Sequence, residues 1–187
     1  MISNKHKFIY IHPPKTGGTS IEKLFDDEAD VRDVEHKHKY ADFYWTPQWS
    51  DYYRFGSVRN PFDRMVSYYF WRLKKDLVMF GRDNFEDWIA FITDFPEWRR
   101  YQETNWHFTT AIDNQWNMLR LIDNIVKFEH FQDDFDKVCS EIGIPKMELP
   151  HTNKSERGSY QQYYTGRSKE LIEKYHWKDL KHYDYKF

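Results

Sequence analysis

Phe8 to Phe25, FIYIHPPKTGGTSIEKLF, joins an apolar run, a loop rich in glycine and hydroxyls, and an amphipathic segment. Phe8, Ile9, Tyr10 and Ile11 are continuously apolar, which predicts a short strand buried on both faces. Pro13 and Pro14 end it. Gly17 and Gly18 allow a tight turn and close approach to a ligand, and Ile21, Leu24 and Phe25 predict one face of a helix starting near Thr19. A strand, a loop and a helix whose N-terminus faces that loop make an anion site: Lys15 brings a full charge, and Thr16, Thr19 and Ser20 bring hydroxyl donors. Lys15 precedes the glycines, whereas the nucleotide-triphosphate loop places its Lys after them. A plain strand-to-helix turn would also use two glycines, but would not need the lysine and three hydroxyls beside them.

A second unit, YRFGSVRNPFDRMVSYYFWRL from Tyr53 to Leu73, repeats the strand–helix order. Phe55 to Val58 reads as a strand, Asn60 as a helix cap and Pro61 as the first helical residue. Phe62, Met65, Val66, Tyr69, Phe70 and Leu73 then form an apolar stripe, with Ser67 off it. Arg59 lies at the carboxyl end of its strand, where open α/β sheets bind ligands, although an arginine there can equally brace the sheet.

PKTGGTS and SVRNPFDRMVSYY together resemble the sulfotransferases that use 3′-phosphoadenosine 5′-phosphosulfate (PAPS), in particular the carbohydrate 2-O-sulfotransferases and small bacterial relatives. That resemblance implies that Lys15, Thr16, Gly17, Gly18, Thr19 and Ser20 hold the 5′-phosphosulfate, and that Arg59 and Ser67 hold the 3′-phosphate. HKHKYADF, from His36 to Phe43, is similar to the His-x-His stretch that supplies the base in the heparan 2-O-enzymes. The family pattern favours His38 as the base with His36 beside it; spacing alone does not choose, because residues two apart on an extended chain point the same way. HTNKSERGSYQQYYT resembles the late loop over the nucleotide, which makes Lys154, Ser155 and Arg157 candidate contacts.

The implied reaction is sulfuryl transfer to an acceptor hydroxyl, of a carbohydrate by the resemblance, with a histidine base and Lys15 at the leaving oxygen. The resemblance implies no metal, and no Cys/His set has metal-ligand spacing, though His36 and His38 could join a third ligand from elsewhere. Two rivals stay open: an atypical small kinase, which would need Mg and a nucleotide triphosphate, and a nucleotide-binding protein without turnover. Trp98, Arg99, Arg100, Trp106 and His107 lie outside any clear stripe and are candidates for an acceptor groove.

The remaining segments alternate in the same way. Phe85, Trp88, Ile89 and Ile92 predict a helix ended by Pro96; Trp116, Leu119 and Arg120 predict another. Ile125 to Phe128 reads as a third core strand, followed by a helix through Phe135 and Ile142 that Gly143 and Pro145 close. A last helix starts near Ser168 with Leu171, Ile172 and Tyr175 on one face, before an aromatic tail. The fold expected is α/β: a P-loop-like three-layer domain over residues 1–187, with a mainly parallel central sheet flanked by helices.

Composition fits an enzyme domain. The mean hydropathy of −0.94 follows from 31% charged residues, yet 20% of the chain is aromatic, which supplies a large core. A net charge of −2 gives no bulk attraction to nucleic acid or membrane. The single cysteine, Cys139, cannot pair within the chain and falls in a helical stripe, which suits a buried thiol in a reducing compartment. The apolar run near the N-terminus is too short for a signal peptide or a membrane span, so the expected location is cytoplasmic.

Overall fold

The computed structural model describes residues 1–25, 38–75, 84–94, 112–150 and 157–187. In chain order its elements are β1 (Ile2–Ser3), β2 (Phe8–Ile11), α1 (Gly18–Leu24), β3 (Tyr53–Val58), α2 (Pro61–Lys74), α3 (Phe85–Asp94), α4 (Gln115–Leu119), β4 (Asn124–Lys127), α5 (Phe131–Glu141), α6 (Gly166–Tyr175) and α7 (Trp177–Tyr183). Contacts group them into two compact units, Met1–Arg59 with Asn117–Lys154, and Asn60–Trp116 with Ser155–Phe187.

The first unit holds the sheet, in strand order β1-β2-β3-β4. β2, β3 and β4 are parallel, in a register that sets Tyr10 opposite Phe55 and Gly56 opposite Ile125; the short β1, which the sequence does not announce, pairs antiparallel with β2. β2 is buried at every position, as its unbroken apolar run requires. Phe8 and Tyr10, Phe55 and Val126 point to one face, where Ile21 of α1, Phe25 just past its end, and Phe135, Val138 and Cys139 of α5 cover them. Ile9, Ile11 and Val58, on the other face, are buried as well. The third core strand ends at Lys127, because Phe128 already belongs to a short 3-10 turn leading into α5.

The second unit packs α2, α3 and α6 around Phe62, Met65, Val66, Tyr69, Trp88, Ile89 and Ile172. Asn60 caps α2 as expected, its side-chain oxygen accepting from the Phe62 N–H at 3.0 Å with Pro61 next in line. The α2 stripe differs from the expected one at its end: Leu73 is 46% exposed. Arg64, Tyr68 and Arg72, one turn apart, form a second buried stripe instead, and Arg72 Nη1 donates to the Tyr68 hydroxyl at 3.3 Å. The aromatic tail is partly helical, in α7. α7 supplies the reason the polar stripe is buried. Asp179 accepts from the Trp116 N–H at 2.9 Å and from Gln115 Nε2 at 3.1 Å, while Arg64 Nη2 donates to the Asp113 carbonyl at 2.6 Å.

Burial opposes the charge on Asp179, but the His176 imidazole 3.6 Å away, the charge of Arg64 and the Trp116 N–H together hold its carboxyl below the usual range. A carboxyl depressed in the folded state favours folding above its unfolded pKa of about 3.9 and loses that contribution as pH falls through the lower folded value. Thermal midpoints should therefore hold down to about pH 5 and drop below about pH 4. The drop should be smaller in Asp179→Asn; an equal acid-side loss in both proteins would assign it to other carboxylates.

No helix among the described residues is long and apolar enough to cross a membrane.

Candidate functional site

The loop after β2 is built by backbone conformations that few residues adopt. Lys15 has φ +73° and Gly17 φ +86°. Lys15 is not glycine, so its left-handed backbone costs on the order of 1 kcal/mol and must be held from outside. Arg59, just past β3, does so: its Nη1 donates to the Lys15 carbonyl at 3.2 Å, and its guanidinium carbon lies 4.0 Å from the centre of the Phe128 ring. The glycines are demanded by space as well as by angle. A Cβ on Gly17 would come within 2.7 Å of the Phe131 ring, and one on Gly18 within 2.2 Å of the His12 ring.

Behind the loop runs a chain of hydroxyls. The Thr16 hydroxyl donates to the Pro13 carbonyl at 2.8 Å, so it must accept from Ser57 at 2.8 Å, and Ser57 must in turn accept from the Tyr10 hydroxyl at 2.7 Å. Burial pushes the Tyr10 phenol far above its ordinary pKa, so the donor at the head of this chain keeps its proton. Thr16 is fully buried and its hydroxyl hydrogen goes to the Pro13 carbonyl. Ser20 is buried and its N–H closes the first turn on the Gly17 carbonyl at 2.9 Å, whereas Thr19 is exposed.

His38 is joined to the same loop. Its Nδ1 lies 2.7 Å from the His12 carbonyl, which can only accept, so Nδ1 carries a proton and the lone pair of the neutral form would be on Nε2. The His12 ring stands edge-on to His38 at 4.7 Å between centres, and its Nε2 is 3.0 Å from Glu22 Oε1 on α1. Sequence reasoning missed His12 and Glu22. The signal was a polar, ring-bearing residue closing an otherwise apolar strand, and its meaning depends on a helix face one turn beyond Gly18.

In the second unit, Ser67 is half-buried on α2, one turn after Asp63. Asp63 forms a mostly buried ion pair with Arg157, so the described end of the late loop is tied to the helix that carries Ser67. His36, Lys154, Ser155, Trp98, Arg99, Arg100, Trp106 and His107 lie outside the described residues, as does the expected helix stop at Pro96. Among the described residues no three His, Cys, Asp or Glu side chains come together as a metal site.

The chain matches the Sulfotransferase family over residues 1–186. Among solved structures it is similar to mouse sulfotransferase SULT7A1 complexed with PAP, at 12% identity and a TM-score of 0.56, over 98% of this chain and 88% of that one. No curated protein matches the sequence. At that identity the structural likeness speaks for the α/β fold, and the family match, which runs through both compact units, speaks for membership. The chain belongs to the sulfotransferase family.

Proposed function

We propose that the chain acts as one sulfotransferase domain that transfers the sulfuryl group of PAPS to a carbohydrate hydroxyl, with His38 as the base. One observation carries this reading. Two groups the chemistry needs are hydrogen-bonded to the main chain of a single loop: Arg59 to the Lys15 carbonyl and His38 to the His12 carbonyl. The loop suits the 5′-phosphosulfate because Gly17 and Gly18 bring bare backbone close to whatever lies over it. Lys15, the N–H groups of Gly17, Gly18 and Thr19 and the hydroxyls of Thr19 and Ser20 hold that end of the donor, Arg59 and Ser67 hold its 3′-phosphate, and Arg157, set by Asp63, adds to the nucleotide contacts together with Lys154 and Ser155.

PAPS, when bound, supplies the sulfuryl group on a good leaving phosphate. His38 Nε2 takes the proton of the acceptor hydroxyl as its oxygen bonds to sulfur and the bond from sulfur to the bridging phosphate oxygen breaks. Lys15 meets the charge that develops on that bridging oxygen, and PAP leaves with the electron pair. His36 orients His38 or the acceptor. The cytoplasm is the proposed setting, in keeping with the buried, unbridged thiol of Cys139, whose pKa burial raises.

The test is calorimetry with PAP against AMP, followed by sulfate transfer from labelled donor to a panel of glycans and simple alcohols. Each charge-assisted contact to a second phosphate is worth about 1.5–3 kcal/mol, so PAP should bind at least about tenfold more tightly. Equal affinity would remove the donor assignment and raise a kinase reading. Tight PAP binding without transfer to any acceptor would point to a binding protein.

A further inference from the structure

We propose that His12 is a positioning residue for the transfer step: its ring, held by Glu22, sets the turn of the Lys15 loop on one side and the aim of His38 on the other. The inference rests on His38 being the base. His12 itself is 6% exposed, too enclosed to meet an acceptor, so whatever it contributes passes through its neighbours. Those neighbours are unusual for a core histidine. Its ring fills the space that a side chain at residue 18 would occupy, with ring atoms 2.2 Å from where that Cβ would lie. One face lies against Tyr10, 5.1 Å between centres, at the head of the hydroxyl chain that runs to Thr16. The His38 ring meets it edge-on at 4.7 Å, and its own carbonyl takes the His38 Nδ1 proton at 2.7 Å.

Glu22 makes this arrangement hold. It sits on α1 one turn after Gly18, so its carboxylate reaches back to His12 Nε2 at 3.0 Å from the helix that begins at the loop. The ring is thus gripped between the end of β2 and the start of α1, and cannot turn without disturbing the peptide whose carbonyl directs His38. A base kept to one tautomer by a main-chain oxygen is only as well placed as that oxygen. Displacement of about 1 Å at a reacting group can cost 100-fold in rate.

The experiment measures kcat, both KM values, PAP affinity and the imidazole nitrogen NMR signals of His38 in wild type, Glu22→Ala, Glu22→Gln, His12→Ala and His38→Ala. Glu22→Ala should lower kcat roughly 10- to 100-fold while PAP affinity stays within about threefold, and should turn a single Nδ1–H signal from His38 into a mixture of tautomers. Glu22→Gln still offers an oxygen to Nε2–H and should recover kcat to within about threefold of wild type. His12→Ala should resemble Glu22→Ala; if it does not fold, the two Glu22 variants decide. Normal kcat in Glu22→Ala, PAP affinity falling in step with kcat, or a Gln variant as slow as the Ala variant would each overturn the role of His12. A slow His38→Ala beside a normal Glu22→Ala removes only this inference, whereas a normal His38→Ala removes the base and the inference with it.

Discussion

His38→Ala is expected to bind PAP within about threefold of wild type and to lose roughly 100- to 10,000-fold in kcat, the usual contribution of a positioned general base. The direction follows from the contacts His38 makes. Its Nδ1 bonds the His12 main chain, which the substitution leaves in place, and the donor loop is held independently by Arg59 and by the Tyr10–Ser57–Thr16 chain. Removing the ring therefore takes away a proton acceptor without dismantling the cradle. His38 has φ +68°, a conformation alanine tolerates less well than glycine, so His38→Gly is the companion that separates loss of the ring from backbone strain. Similar losses in both variants would assign the effect to the ring. Near-normal turnover in His38→Ala would move the base to His36 and then to His107.

Lys15→Ala should weaken donor binding and lower turnover by on the order of 100-fold or more, about 2.7 kcal/mol of transition-state stabilisation, because it removes a full charge from the leaving oxygen. Alanine keeps the left-handed backbone cost that lysine already bears at φ +73°, and the Arg59 hydrogen bond goes to the main-chain oxygen, so the substitution isolates Nζ. With a lysine in this role no metal is needed to meet the charge, and wild-type turnover should persist in excess EDTA. Turnover abolished by EDTA and restored by Mg would contradict the mechanism, and so would normal donor and acceptor kinetics in Lys15→Ala.

Much of this site is legible from local pattern. The four apolar residues Phe8 to Ile11, two prolines, two glycines and an amphipathic run dictate strand, turn and helix through interactions within a few residues of each other, and the Asn60-Pro61 start of α2 is equally local. The parallel order follows from that alternation, since strands separated by a helix have little other way to pair. What a sequence cannot display is which distant polar atoms meet. Thr16 reads as a ligand hydroxyl, and only packing brings it to the Pro13 carbonyl and to Ser57 on a neighbouring strand. Arg64 and Arg72 lie off the apolar stripe of α2 and are nonetheless buried, because Asp179 and the Asp113 carbonyl give Arg64 polar surroundings and Tyr68 partners Arg72. His12 directly follows the first strand, and only packing places its ring against Gly18, its Nε2 on Glu22 and its carbonyl on His38. Local propensity and periodicity act over one or two turns of chain and so determine the elements, whereas hydrogen bonds between side chains tens of residues apart exist only once the strands and helices have been brought together, and it was these that decided the chemistry of the loop.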